Sequence, residues 1–262
     1  MCITFVNTLL EQFPGKIDSL LMLFIKILVN ELSNKNITKG YRLHVLQLTS
    51  YLLIYNAKAT FTALQEVNII IPICQNYFSS LRKFNDTEQL LNLIYGITSI
   101  IQLEIDDVPD IIKNGMPKIL ESLIKLMHKY TKEREREIIE RYEDDIADKN
   151  ISQNELNTKN TVLERLREIT EAEEQKQLED DDNDNEEEDL EDDDYIWSRT
   201  DSFYYKSPLQ KLEAPLFFRN VLQEMKEQRN SIYSQYIAVI SEDNMSLLEN
   251  IIERCEFLQS LQ

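Results

Sequence analysis

The chain has 262 residues, of which 42% are apolar and 29% charged, so it is not a disordered protein and holds enough apolar material for one large domain or two small ones. Its formal net charge of -19 and pI near 4.6 argue against the clustered Lys and Arg with which nucleic-acid-binding proteins displace phosphate counterions. Only four glycines are available for tight turns or phosphate-binding loops, so helix is the expected secondary structure.

The amino-terminal quarter is predicted to form helices separated by turns. Apolar residues spaced i, i+3, i+4 and i+7 mark the helices, and the pair Pro14-Gly15 forces a turn after the first of them. A break is expected at Asn56, where a long apolar helix stops. The predicted helices are Ile3 to Gln12, Ile17 to Ser33, Gly40 to Tyr55 and Thr60 to Val67.

The middle of the chain carries clearer start signals. Pro72 interrupts the apolar run Ile69 to Cys74 and predicts a kink or a new helix start. Asp86 is a predicted N-cap, and the next helix keeps helical spacing over Leu90, Ile94, Ile97 and Ile101. A strongly amphipathic helix from Met116 to Met127 is expected to continue past the core, because residues 132 to 145 mix both charge signs.

The last third contains four more predicted segments. A helix from Val162 to Leu178 follows a mostly polar stretch. Pro215 suits the first turn of another helix, and Ser241 is a predicted N-cap for the last one. The two helices after Pro215 are expected over Ser231 to Val239 and Asn244 to Gln259, and the residues predicted to face inward beside Pro215 are Leu216, Phe217, Val221, Leu222 and Met225.

The most unusual stretch, here called the acidic block, runs from Glu179 to Asp194. It holds 13 carboxylates in 16 positions and no Lys or Arg, which leaves a charge of only -6 for the other 246 residues. Such a run repels itself and favours partners of opposite charge, although a solvated linker without a specific role would have the same composition. The predicted contacts to a basic partner are Glu179, Asp180, Asp181, Asp182, Asp184, Glu186, Glu187, Glu188, Asp189, Glu191, Asp192, Asp193 and Asp194.

Aromatic residues follow the acidic block closely. An exposed loop does not usually place so many large apolar rings in water, so we expect this segment to pack on the helices and anchor the end of the acidic loop. The predicted anchors are Tyr195, Trp197, Phe203, Tyr204 and Tyr205.

The sequence offers little that suggests catalysis. His44 and His128 stand far apart without a second metal ligand at a useful spacing, so no metal site is predicted. The three cysteines are widely spaced and favour reduced thiols in the cytosol or nucleus. No cofactor is expected, and a helical hydrolase or transferase would need a cleft constellation that the sequence does not contain.

These segments predict an all-α protein, an α-solenoid of stacked HEAT-like antiparallel helix pairs with a long disordered acidic loop. Helices recur every 20 or so residues, which gives a pair in roughly 40 to 47 residues, the period of HEAT or armadillo repeats. Three regions are predicted: HEAT-like repeats over 1-146, a polar and acidic insertion with one short helix over 147-202, and C-terminal helices over 203-262.

The order of these segments resembles the C-terminal part of the importin-β superfamily of nuclear transport receptors, in the branch of importins seven and eight. The similarity is carried first by Leu46-Gln47-Leu48, Tyr51, Leu52, Tyr55 and Asn56. It continues through helices like Leu90 to Leu103 and Ile111 to Tyr130, the acidic insertion and a helix like Phe217 to Met225, and covers about Tyr41 to Leu258. It implies stacked HEAT repeats and a role in carrying basic cargo, such as ribosomal proteins and histones, under control of the GTPase Ran. Because the Ran-binding repeats have no counterpart here, we expect a fragment or a truncated product.

The predicted function is therefore the cargo-binding part of a nuclear import receptor. Its expected partners are basic cargo proteins, with nucleoporins and Ran engaged by other regions, and no nucleic acid or membrane insertion. The chain is expected to be monomeric and to occur in the cytoplasm, the nucleus and at the nuclear envelope. The alternative is an acidic chaperone or scaffold that binds basic proteins without transport.

Overall fold

The computed structural model describes the backbone of residues 2-147, 152-180 and 213-261, with side chains except at positions 2 and 173-180. Within these ranges every regular element is an α-helix or a short 3₁₀ turn, so the predicted all-α class is confirmed. The α-helices are α1 (Cys2–Gln12), α2 (Leu21–Ser33), α3 (Lys39–Glu66), α4 (Ile70–Ser79), α5 (Thr87–Ile101), α6 (Asp110–Ala147), α7 (Gln153–Asp180), α8 (Ala214–Gln228), α9 (Asn230–Ile237) and α10 (Glu242–Ser260).

The break predicted at Asn56 is a kink within α3. Asn56 has φ -165° and ψ 92°, which is extended backbone inside a helix, while its Oδ1 accepts a hydrogen bond from Ala59 N at 3.0 Å. The second arm of α3 therefore begins at residue 57, three residues before the predicted start at Thr60, because Asn56 serves as its N-cap. Thr60 Oγ1 also donates to the Leu52 carbonyl at 2.9 Å across the kink.

The predicted caps of α5 and α10 are confirmed. Asp86 Oδ1 accepts hydrogen bonds from Glu88 N at 3.0 Å and Gln89 N at 3.1 Å, and Ser241 Oγ accepts from Asn244 N at 3.3 Å. Pro72 lies in the first turn of α4, so it marks a new helix start, as one of the two predicted alternatives had it. Each of these ends is set by local chemistry that the sequence displays.

Helix α7 begins at Gln153, nine residues before the predicted start at Val162. The prediction was wrong because residues 153-161 lack an apolar stripe. Ser152 supplies the start instead, since its Oγ accepts from Glu155 N at 3.3 Å. In α8 the inward set needs one correction, because Phe218 is fully buried whereas Phe217 is only half-buried.

The chain forms two compact units, of which the first contains residues 1-131 and 205-262. In its described part, α3 packs against α1, α2, α4 and α5, while α8 packs against α5, α9 and α10. One continuous apolar core joins these helices with residues 112-130 of α6. Burial of this core drives the folding of the unit, since each fully buried aliphatic or aromatic side chain contributes roughly 1.5-3 kcal/mol.

Helices α3 and α5 approach closely because position 96 is a glycine. A Cβ at Gly96 would stand 3.0 Å from Ser50 Cα and 3.2 Å from the Ser50 carbonyl oxygen. Two buried hydrogen bonds flank this contact: Asn92 Nδ2 donates to Tyr51 Oη at 2.8 Å, and the hydroxyls of Ser50 and Tyr77 lie 2.8 Å apart. These four buried polar side chains are thereby paired, as the low-dielectric interior requires.

The second unit contains residues 132-204. In its described part, residues 132-147 of α6 carry pairs of opposite charge, including Arg134 with Glu137 at 2.7 Å. Lys159 and Arg167 of α7 bind Asp145 at 2.7 Å and Glu143 at 2.5 Å, respectively. These contacts hold α7 against the preceding helix, although exposed pairs of this kind contribute only about 0-1 kcal/mol each.

Candidate binding surfaces

Most of the acidic block lies outside the described residues. Glu179 and Asp180 are the last two residues of α7, and nothing is described of their side chains. The other carboxylates and all five predicted anchors fall in the range 181-212, so their predicted roles stay predictions. The residues concerned are Asp181, Asp182, Asp184, Glu186, Glu187, Glu188, Asp189, Glu191, Asp192, Asp193, Asp194, Tyr195, Trp197, Phe203, Tyr204 and Tyr205.

The described chain resumes at Glu213, which is firmly held in the first unit. Its side chain is 1% exposed and accepts a hydrogen bond from Tyr130 Oη at 2.6 Å, while its backbone N–H donates to Gln259 Oε1 at 3.1 Å. A buried carboxylate needs such partners, since desolvation of an unpaired charge is costly. Glu213 therefore fixes the point from which α8 starts.

A second charged surface, here called the basic stripe, lies on α6 and the turn before α5. Lys118, Lys125 and Lys129 recur at i, i+7 and i+11, which places them on one side of α6. Lys129 Nζ donates to Asn85 Oδ1 and, at 3.4 Å, to the backbone carbonyl of Arg82. The basic stripe is defined here as Arg82, Lys118, Lys125 and Lys129.

Glu121 lies within the basic stripe and responds to its field. Lys125 Nζ is 2.7 Å from Glu121 Oε1, and this hydrogen bond and charge, followed by the charges of Arg82 and Lys118, lower the pKa of the Glu121 carboxyl. Three cations thus act on one carboxylate. The nearby carboxylate of Asp86 accepts hydrogen bonds from the backbone at the start of α5 instead.

A groove of about 280 Å³ adjoins the basic stripe at the corner between α9 and α10. Lys118 and Glu121 belong to both features, and the exposed apolar side chain of Val239, 45% accessible, stands in the groove wall. We call it the corner groove; its lining residues are Pro117, Lys118, Glu121, Val239, Ile240, Ser241 and Asn244. Charge and apolar surface therefore meet at one place.

Another groove, of about 480 Å³, lies between the start of α2 and the second arm of α3. Its polar edge includes Asp18, which accepts a 2.6 Å hydrogen bond from Tyr55 Oη, while Lys58 forms an ion pair of 2.8 Å with Asp107. Both charged groups are thus occupied by partners within the unit. The groove is open to solvent.

His44, Cys74 and Cys255 take ordinary structural positions in the first unit. Burial, and next the charge of the amino terminus, lower the pKa of His44, whose Nε2 lies 3.4 Å from Thr4 Oγ1. Burial raises the pKa of the Cys74 thiol to about 12, and Cys255 Sγ lies 3.3 Å from Thr131 Oγ1 in the core. A thiol with a raised pKa is a poor nucleophile. Among the described residues, no group of three His, Cys, Asp or Glu side chains is placed to hold a metal ion.

The basic stripe was not predicted from the sequence. The spacing of Lys118, Lys125 and Lys129 opposite the apolar face of α6 is visible in the sequence and could have indicated it. The contributions of Arg82 and Val239 could not be inferred, because they come from distant segments that only the tertiary fold brings to α6.

None of the helices in the described ranges is both long and apolar enough to cross a bilayer. The chain matches no family model, no curated protein and no solved structure.

Proposed function

We propose that the chain binds basic proteins through its acidic block, as the C-terminal cargo-binding part of an importin-β-type nuclear transport receptor. The observation that carries the proposal is the density of charge: 13 carboxylates in 16 positions without an intervening Lys or Arg. Such a block attracts basic surfaces at distances up to the Debye length, about 8-10 Å near physiological ionic strength. Ribosomal proteins and histones have the required charge.

The finer fold, a HEAT-like solenoid, belongs to the same proposal. It is supported by packing between helices that are near one another in the chain, since α3 contacts α1, α2, α4 and α5, while α8 contacts α9 and α10. In a solenoid each repeat packs on its neighbours in the chain. Solenoids of this kind offer extended surfaces for protein ligands.

Binding of Ran and nucleoporins, and a location in the cytoplasm, the nucleus and the nuclear envelope, follow from the resemblance alone. In this proposal those contacts belong to regions outside this chain. Transport by the chain alone is therefore not expected.

The first experiment replaces all 13 carboxylates of the acidic block with Ser and Asn and measures affinity for a purified histone and a ribosomal protein. We expect tight binding of the wild-type chain at low salt and a loss of roughly a hundredfold or more in the variant, since many screened pairs of a few tenths of a kcal/mol add up. Equal affinity of the two chains at low salt would exclude the acidic block as the cargo site.

A chaperone or scaffold for basic proteins is the second candidate. It is favoured by the fact that the acidic block alone would supply the attraction, without any nuclear transport partner. The two functions differ in their partners, so pull-down with nucleoporin FG repeats and with Ran distinguishes them when a longer chain carrying the other receptor repeats is tested. Binding of a basic protein without either transport partner would support the chaperone.

A further inference from the structure

The basic stripe and the corner groove lie side by side on the first unit, in a chain whose overall charge is -19. Neither is needed for binding basic proteins, because a basic surface would repel them. We propose that together they form a second binding site, which takes a short acidic peptide segment of a partner protein with one apolar side chain. The carboxylates of the peptide contact the stripe, and the apolar side chain enters the groove.

The dimensions of the stripe suit a short extended peptide. Lys118 and Lys129 are eleven residues apart on α6, which corresponds to about 16 Å along a helix. An extended peptide of about five residues spans the same distance. Side chains on one side of such a peptide would meet Lys118, Lys125 and Lys129 in turn.

Three cations of the stripe are exposed and act on Glu121, while Lys129 is half-buried and bonded to Asn85. The side chain of Lys125 is 55% exposed, and Arg82 and Lys118 are exposed as well. Lys125 contacts Glu121 at 2.7 Å and Lys118 lines the corner groove beside Glu121, so a ligand carboxylate near Glu121 would lie close to both cations. A bound acidic residue would meet this field from the solvent side.

The groove supplies the apolar part of the recognition. Val239 exposes 45% of its surface, and Pro117 is exposed on the opposite element. A leucine or phenylalanine side chain that covers both would bury apolar area, at about 25 cal/mol per Å². Charge alone gives little selectivity, whereas this pairing of an apolar contact with carboxylates specifies a peptide.

Nucleic acid is the competing ligand, and the surroundings of the site disfavour it. Glu242 and Asp243 are exposed in the first turn of α10, directly after the groove residue Ser241. A duplex carries a phosphate charge about every 1.7 Å and would extend past the stripe onto these carboxylates. A peptide that places an apolar side chain at that end avoids the repulsion.

The test uses the full chain and a fluorescein-labelled peptide of five Asp and Glu residues followed by one Leu, with fluorescence anisotropy at low salt. The variant Lys118→Glu/Lys125→Glu is expected to weaken binding roughly tenfold or more, since each reversal replaces an attraction by a repulsion. The matched control is Lys26→Glu/Lys35→Glu, which changes the net charge equally at exposed positions of α2 and its C-terminal turn and is expected to change affinity less than about twofold.

A second comparison tests the groove. Val239→Ser is expected to weaken binding of the Leu peptide roughly threefold. Its affinity for a peptide with Ser in place of Leu is expected to equal that of the wild-type chain. The measurements are repeated in the chain with the neutralised acidic block, so that the chain's own carboxylates do not compete with the probe.

Three results would overturn the proposal. The wild-type chain and the neutralised chain could both fail to bind the peptide, or the two lysine double variants could lose affinity equally, which would indicate a net-charge effect. Tighter binding of a 12-base-pair DNA duplex than of the Leu peptide would assign the stripe to nucleic acid instead.

Discussion

Asn56 shows how a single side chain decides the course of a helix in this protein. Its side-chain Oδ1 accepts a hydrogen bond from Ala59 N, which the interrupted helix would leave without a partner. Its extended backbone turns the chain between the two arms of α3. The break itself was predictable, because a polar Asn follows a long apolar run. Its form as a capped kink was not, because the apolar stripe resumes only a few residues later.

Replacing Asn56 by Ala is expected to lower the free energy of unfolding by about 1 kcal/mol, because the start of the second arm loses its cap. The measurement is urea unfolding followed by circular dichroism, with the midpoint shifted at an unchanged m-value. Asn56→Asp retains an acceptor oxygen and serves as the control. Equal destabilisation by both substitutions would show that the Oδ1 contact does not stabilise α3.

At the scale of elements, the close contact of α3 with α5 organises the first unit. Gly96 permits this approach, since any Cβ at that position would press against the backbone of Ser50. Periodicity in the sequence identified both helices and their apolar faces, but not which faces meet. Which helix packs against α5 depends on how well side chains about 40 residues apart in the chain fit together. A local sequence pattern carries no information on that fit.

Gly96→Ala is expected to destabilise the protein by roughly 1-2 kcal/mol, because overpacking against Ser50 exceeds the helix-propensity gain of about 1 kcal/mol. Gly115→Ala in α6 is the matched control, since its Cβ would meet only Ile119 Cδ1, at 3.7 Å. The control is expected to stabilise the protein by up to about 1 kcal/mol. Urea unfolding of both variants checks the pair, and stabilisation by Gly96→Ala would contradict the close approach.

The start of α7 shows why one helix boundary was not predicted correctly from the sequence. Residues 153-161 of α7 are helical without an apolar stripe; Ser152 caps the start, and Lys159 pairs with Glu155 at 3.3 Å and with Asp145 at 2.7 Å. Polar helices of this kind are stabilised by caps and charge pairs, each too small to stand out in a hydrophobic pattern. The candidate sites divide in the same way, because the acidic block is visible in the sequence and the corner groove exists only in the fold.

Across the molecule, the core contains buried tyrosines and a buried thiol whose ionisation is disfavoured by burial. Burial raises the pKa of Tyr51 and Tyr77 above the usual range, that of Tyr95 to about 12 and that of the Cys74 thiol to about 12. At a pH between the pKa of the unfolded chain and the raised pKa of the folded chain, the folded chain keeps the proton that the unfolded chain has lost. At neutral pH both states keep it. The contribution of these groups to stability is therefore complete at neutral pH.

Stability is expected to fall as the pH rises past about 9, where Cys74 would ionise in the unfolded chain, and more steeply past about 10, where the three tyrosines would. The sign follows from proton binding, because above these values the folded state binds more protons than the unfolded one. Unfolding midpoints in urea from pH 7 to pH 11 measure the effect. A stability that stays constant to pH 11 would show that these groups ionise equally well in the folded protein.

We expect the clustering of carboxylates in the acidic block, and not the net charge of the chain, to determine its affinity for basic proteins. Two variants that each remove six negative charges separate these explanations. One neutralises residues within the block with Gln and Asn, at Glu186, Glu187, Glu188, Glu191, Asp192 and Asp193; the other neutralises exposed residues of α7, α8 and α10 with Gln, at Glu164, Glu168, Glu171, Glu224, Glu249 and Glu253.

The deciding measurement is the dissociation constant for a purified histone, obtained by titration calorimetry at several salt concentrations. We expect the block variant to lose roughly tenfold or more in affinity and to show a weaker salt dependence, while the scattered variant stays within about twofold of the wild-type chain. Equal losses in the two variants would exclude the acidic block as the specific site, because the basic protein would then respond to net charge alone.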